Sequence, residues 1–450
     1  MKKLSALLLA LLILPSLATA QDQPTAIPVE SLPQLPLEFC YAPGTSMEVV
    51  ERNAQRAAVT QMLMSLQPSG FNKHRLDDGD QWTNTATNGN IASQGDPITL
   101  TWSIIPDGTS IFGYAGEATS DSQLISFLNG IYGNQATWLA LFEQVFDRWS
   151  ELTGITYVYE PNDDGSDFLS NFIAAGSLGV RGDIRIGGHP IDGNSNILAY
   201  NFFPNTGDMI IDAPDSFYDN TANNSQGFRN VISHEHGHGL GFSHVCPVNQ
   251  TKLMEPFVSF AFDGPQHDDI LAANRGYGDA SESNDSSGTA TALDGLMSTL
   301  TNRSIDDNSD IDFYALTTAG GGMVDVTVTP QGSTYLEGPQ NPNGTCTAGT
   351  NYDTLNRHNL SIRLLDTDGS TELASVDANG AGAAEMLSAA LSSGAGTYYI
   401  EVSGDSTNLA QLYSITVEAD TPEIFEDGFE SGDVCIWTSS QPASCPQINE

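Results

Sequence analysis

Positive charge is scarce in this chain: 15 Lys+Arg stand against 56 Asp+Glu, a formal net charge of -41 over 450 residues. A polyanionic partner needs basic side chains to neutralise its phosphates, so nucleic acid is excluded. The same balance keeps a surface soluble and attracts divalent cations, yet scattered carboxylates are simply solvated, so only clustered acids count as metal candidates. Cysteine is sparse as well, five in the whole chain. That is too few for a disulfide scaffold, and the odd number leaves one thiol unpaired within a monomer, the expected state. Cys435 and Cys445 are the pair suggested by proximity. Beyond Ala20 no apolar run approaches the ~20 residues that span a bilayer, so no stable membrane insertion is expected.

What is present begins with Met1–Ala20: Lys2 and Lys3, an apolar stretch from Leu7 to Leu14, then Ala18-Thr19-Ala20. This is the pattern of a cleaved secretory signal, too short in its apolar core for an anchor. The mature protein is expected to be secreted. A Pro-rich stretch follows, then a helical pattern from about Ser46 to Leu66 and a Gly/Asn/Asp-rich passage; residues 21–95 read as an N-terminal extension or pro-segment. Residues 96–278 read as an α+β domain. It opens on the strand-like ITLTWSI from Ile98 and continues into an amphipathic helix, about Ala136 to Leu152, with Trp138, Leu141, Phe142, Val145, Phe146 and Trp149 at helical spacing. Strand-like runs follow at 155–160, 183–188, 197–204 and 207–214, then helices from about Ser225 to Leu240 and Asp268 to Gly278. Residues 279–290, rich in Ser, Asp, Thr and Gly, read as a linker. Short alternating runs over 282–420 read as an all-β sandwich, and 421–450 as an acidic tail.

Four of the eight histidines fall between His234 and His244, in HEHGHGLGFSH. On a helix His234 and His238 stand at i and i+4, one face, where two imidazoles share a cation. His236 points elsewhere. Gly241 can take the left-handed conformation that ends a helix, and the turn brings His244 in as third ligand. Three imidazoles leave a fourth tetrahedral position open, the arrangement of a catalytic zinc rather than a structural one. Glu235, beside the first ligand, is placed to act as general base on water without binding the metal. Met254, in KLMEPF, provides an apolar floor beneath the site.

His234-Glu235-x-x-His238-x-x-Gly241-x-x-His244 followed by Met254 resembles the metzincin zinc peptidases, and within them the matrixins. Further similarity lies at 149–159, 182–186, 197–204, 207–212 and 268–278. The resemblance implies a metzincin-type fold, a twisted mixed sheet plus three helices, and hydrolysis of peptide bonds in protein or peptide substrates. It also implies that Leu198 and Ala199 lie on an edge strand that pairs with extended substrate. Asp192, Asp212 and Asp215 would form one calcium site, and Asp183 and Asp208 another; the alternative is that these acids are solvated loop residues. The histidines with which matrixins hold a second zinc are replaced by Tyr200 and Ile210, so no structural zinc is expected and His189 reads as a loop residue. The thiol switch sequence of matrixin pro-segments is missing too, and Cys40 is the sole thiol upstream of the site. Cys246 reads as structural.

Residues 282–419 resemble the pre-peptidase C-terminal domain of secreted bacterial peptidases, through SESNDSSGTATAL, NSDIDFYALTTAGG and GTYYIEVSG. That resemblance implies bacterial export. The terminal IFEDGFESGDVCIW is similar to sorting segments of exported proteins. Against the peptidase stand an adhesion protein with a degenerate metal domain and a zinc hydrolase of other amides or esters. Glu235 argues against the first, because a degenerate site has no use for an intact base.

Overall fold

The computed structural model describes residues 37–64, 81–89, 93–167, 175–405 and 407–420. The signal segment, the tail, Cys435 and Cys445 lie outside the described residues.

Two elements precede the expected catalytic region: β1 (Leu37–Tyr41) and α1 (Met47–Met64). Then come β2 (Ile98–Ile104), a short hairpin of β3 (Ser110–Ile111) and β4 (Ser120–Asp121), α2 (Leu124–Tyr132), α3 (Gln135–Leu152) and β5 (Ile155–Tyr159). β6 (Ile184–His189), β7 (Ile197–Phe202), β8 (Met209–Asp212), α4 (Ala222–Gly239), β9 (Val245–Cys246) and α5 (His267–Tyr277) complete the region. One sheet runs in the order β1-β7-β8-β6-β2-β5. β2 is parallel to β5 and β6, and β6 to β8, whereas β7 and β1 run antiparallel to their neighbours. The sheet is therefore mixed, as the sequence implied.

α3 forms because Asn134 caps it, its side chain accepting from the Thr137 amide at 3.1 Å, and because its six expected core residues all bury on one face. They pack with Trp102, Phe228 and Ile232 into the main core. α2 is a fourth helix in this region where three were expected. Its LISFLNGIY spans only 9 residues and carries Gly130, too short a stretch for a helical period to stand out from a plain apolar run. It stops at Gly133, in the left-handed conformation.

The C-terminal half holds a five-stranded sheet facing a four-stranded one, built from β10 (Thr291–Ala292), β11 (Met297–Ile305), β12 (Ile311–Thr318), β13 (Gly322–Gln331), β14 (Thr334–Pro339), β15 (Thr350–Asp353), β16 (Ser361–Leu365), β17 (Glu372–Val376), β18 (Glu385–Leu391), β19 (Gly396–Ser403) and β20 (Gln411–Ala419), β14 and β15 lying outside both sheets. Alternating residues such as Val324, Val326 and Val328 meet Tyr314, Ile362 and Ile400 in a second core. β14 and β15 form a hairpin that instead joins β9. Gly338 pairs with Cys246 and Pro339 with Val245, and Cys246 is disulfide-bonded to Cys346. Ala410 and Leu412 reach the main core.

Contacts thus cross the boundary that residues 279–290 were expected to mark. Asp279 and Asn284 are fully buried. The Asp279 carboxylate accepts from the Ser281 and Ser304 amides at 2.6 and 2.7 Å. Ser, Asp and Gly are the residues of linkers, but they are also the residues that cap turns, and composition does not separate the two uses.

Candidate metal centre

α4 carries the first two histidines. Asn223, Asn224 and Ser225 have positive φ, so its regular turns begin beyond Ser225 and run through His238. The helix ends as its sequence requires: the Phe242 amide donates to Gly237 O at 3.0 Å, the Gly241 amide to His238 O at 2.9 Å, and Gly241 adopts a φ of 105°. A side chain there would strain the turn that delivers His244.

The three rings converge by their Nε2 atoms. His244 Nε2 lies 3.1 Å from His234 Nε2 and 3.2 Å from His238 Nε2. A tetrahedral zinc with Zn–N bonds of ~2.05 Å would hold its nitrogens roughly 3.3 Å apart, so the triad fits that ion. Every outer nitrogen has an acceptor: His234 Nδ1 meets Leu253 O at 2.7 Å, His238 Nδ1 meets Phe242 O at 2.6 Å, and His244 Nδ1 meets Gln340 Oε1 at 2.8 Å. Those bonds place the protons on Nδ1 and leave the inner lone pairs for a cation. All three side chains are buried.

Glu235 is fully buried beside them, and neither carboxylate oxygen meets a donor at hydrogen-bonding geometry. The Cys40 backbone amide lies close enough to draw its pKa down somewhat. Burial outweighs that and, with the nearby Glu38 charge, pushes the carboxyl well above the usual range. A cation among the histidines would act in the opposite sense. His236 points away into the core, its Nε2 against Tyr157 Oη at 2.5 Å and its ring edge-on to Phe146, with burial lowering its pKa to about 3.

Met254 is fully buried, and its sulfur fills the space beside Gly237 that a Cβ would occupy. What fixes it was not legible: Asp269, at the start of α5, accepts from the Leu253 and Met254 amides at 2.9 and 3.3 Å. Through Leu253 O this acid also sets His234. Asp269 and Gln340 escaped the sequence reading because each acts on a segment distant along the chain.

Leu198 and Ala199 sit on β7, but its outer side is not open. Cys40 pairs with Ala199 and Phe39 with Tyr200, while Tyr41 N donates to Pro256 O and accepts at its own carbonyl from Val258 N, both at 3.0 Å. β1 thus lies between β7 and residues 256–258, across the metal centre. Ligand atoms of Cys40, His234 and Glu235 lie within 4.8 Å of one another. Cys40 is the free cysteine among the described residues.

The five aspartates behave differently from the histidines. Asp183 accepts from the Ala86, Thr101 and Gly176 amides and from Thr101 Oγ1, at 2.7 to 2.9 Å. Asp208 accepts from the Arg185 amide at 2.8 Å, and burial raises it to about 8. Asp212 takes the Ile191 and Asp192 amides, and Asp215 those of Phe217 and Ser195. Burial, with their mutual repulsion, raises Asp192 to about 6 and Asp212 to about 7. Among the described residues, the acids that do gather at ligand spacing lie elsewhere, as Asp279, Glu282 and Asp312, and as Glu282, Asp306 and Asp310. His189 is not a loop residue: it ends β6, fully buried, between Ser120 Oγ at 2.9 Å and Glu117 Oε1 at 3.2 Å.

Residues 129–278 match the matrixin model of peptidase family M10. Helices α3, α4 and α5, the three histidines, Glu235 and Met254 fall inside this matrixin-like stretch. A curated relative, the Metalloendoproteinase 2-MMP of Arabidopsis thaliana, is 32% identical over 129 residues, 27% of this chain and 31% of its own length. The chain therefore spans about a third of that relative. The chain is also similar to the crystal structure of the pre-peptidase C-terminal domain of a Bacillus anthracis collagenase, at 19% identity, covering 29% of this chain and 96% of that one with a TM-score of 0.19. No described helix is long and apolar enough to cross a membrane.

Proposed function

We propose that this chain is a secreted, zinc-dependent endopeptidase of bacterial origin, folded with its cleft filled by its own residues 37–41. The carrying observation is the triad, whose three inner nitrogens lie at zinc spacing while every outer nitrogen is engaged. Zinc bound there supplies Lewis acidity, lowering the pKa of water to ~7 and polarising a carbonyl. Glu235, buried and without a donor on either oxygen, is free to take the proton of an attacking water and hand it to the leaving amine. β7 and residues 256–258, which β1 now joins by main-chain bonds, would hold an extended peptide in its place.

Purified protein incubated with a denatured protein substrate tests the reading. Cleavage is expected to stop with chelator and return with zinc, and removal of residues through Pro43 is expected to raise the rate. Chelator-insensitive cleavage would sink the mechanism. Protein recovered from the culture medium should begin at Gln21.

Calcium belongs to the proposal at the loop of Asp192, Asp212 and Asp215, where carboxylates already repel one another. With zinc saturating, thermal unfolding should shift upward by the equivalent of ~2.7 kcal/mol at a free calcium one hundred times its dissociation constant. Asp212→Ala should remove that shift; loss with Asp312→Asn instead would assign it to the acids gathered around Glu282.

A further inference from the structure

His244 is the ligand that the helix does not carry, so its ring depends on what holds its far side. Gln340 does so from the sandwich half of the chain, with its Oε1 at 2.8 Å from His244 Nδ1. Three restraints bring it there. β14 is paired to β9, Cys346 is disulfide-bonded to Cys246, and Gln340 forms a bridge with Cys346. The amide cannot turn over without loss, because its Nε2 donates to Gly344 O at 2.8 Å. Oε1 only accepts, so His244 must carry its proton on Nδ1 and keep the Nε2 lone pair facing the other two rings.

We propose that Gln340 is a positioning residue of the metal centre, by which the β14–β15 hairpin of the C-terminal half fixes the tautomer and orientation of the third zinc ligand. The inference rests on the zinc reading above. His234 and His238 receive the same restraint from main-chain carbonyls of their own region, Leu253 O and Phe242 O. At His244 it comes from a side chain 96 residues away. Glu38 Oε2 also stands near, 3.3 Å from the same nitrogen, but it is bonded to the His244 amide at 2.7 Å and belongs to β1. When β1 leaves the cleft Glu38 leaves with it, and Gln340 stays. The hairpin is then part of the centre, not a passenger beside it.

The test is the zinc dissociation constant of the full chain, read by competition with a chromogenic chelator in a Glu38→Gln background. The parent should bind zinc and His238→Ala should not; a parent that takes no zinc refutes the zinc reading itself. Gln340→Leu, close in size but without the acceptor, should bind roughly 10–100-fold more weakly, and Gln340→Glu should restore binding. Zinc-free unfolding of Gln340→Leu should match the parent. The proposal is overturned if Gln340→Leu binds within about twofold of the parent, far below the usual effect of losing such a partner. It is also overturned if Gln340→Glu is as weak as Gln340→Leu, or if the zinc-free fold loses stability in parallel.

Discussion

The histidine triad and the five aspartates are both clusters of ligand-type residues in one region, and the protein engages them in different ways. Each histidine spends one ring atom on the protein and keeps the other for the centre of the cluster. Asp183, Asp212 and Asp215 spend both carboxylate oxygens on backbone amides of the turns around them. A carboxylate so engaged is a turn-former whose charge is already solvated by peptide dipoles. Ligand identity is thus decided by what the second atom of the group is doing.

The comparison breaks hardest at Glu235, which has neither kind of engagement. Glu235→Ala should leave zinc bound, since the triad and its outer acceptors are untouched. It should lower hydrolysis by roughly 10²–10⁴-fold, the usual worth of a general base. Turnover close to the parent's at saturating zinc would remove Glu235 from the mechanism.

Next in size is the tether between the two halves. Were residues 279–290 a plain linker, truncation after Gly278 would leave a working catalytic unit. The structure reverses that expectation, because truncation removes Gln340, Cys346, the strand paired with β9, and Ala410 and Leu412 from the core. Cys246→Ala with Cys346→Ala isolates the covalent part. Breaking a loop closed over a sequence separation of 100 residues should cost about 2–5 kcal/mol in denaturant unfolding. A loss under about 1 kcal/mol would show that strand pairing and packing hold the hairpin without it.

How much was legible follows from the range of each signal. His234, His238, Gly241 and His244 declare themselves because ligand spacing and helix termination are local. α3 declares itself by an apolar period sustained over 18 residues, and α2 does not because its 9 residues are too few to set one apart from a plain apolar run. Gln340 and Asp269 carry no local mark; their roles arise from pairings and turns that only the fold creates. β1 reads as five unremarkable residues, and its place across the site depends on the register with β7. The aspartates carry a local mark that serves two roles: an acid that caps a turn and one that binds calcium call for the same Gly- and Asn-rich surroundings.

Asp212→Ala sharpens this last point. The variant strips the acceptor from the Ile191 and Asp192 amides at a site that is 1% exposed. Without any calcium it should lose about 1–3 kcal/mol, the cost of leaving buried donors unmet. Equal stability of variant and parent in chelator, with a difference appearing only on adding calcium, would make Asp212 a ligand with no separate part in holding the turn.

The last effect is a drift with pH, and it comes from acids that no amide fully serves. Glu282 is raised to about 8, first by burial and then by Asp279 and Asp285, and Asp306 to about 9, first by burial and then by Glu282, Asp307, Asp279 and Asp285. Their unfolded values are ~4.3 and ~3.9, so across the interval between the folded state binds more protons than the unfolded state. Stability from these groups is therefore complete below about pH 4 and lost progressively as pH rises through about 8 to 9. The thermal midpoint at fixed zinc should fall between pH 6 and pH 9, and Glu282→Gln with Asp306→Asn should flatten the fall. Since Asp306 and Glu282 fill the space that a Cβ at Gly95 and at Gly278 would need, the loosening should be felt first where the catalytic region meets the sandwich. Hydrogen exchange in residues 279–312 should accelerate with pH beyond the chemical rate in the parent and not in the double variant. A slope unchanged by the two substitutions would mean that a bound cation, not protons, neutralises these carboxylates.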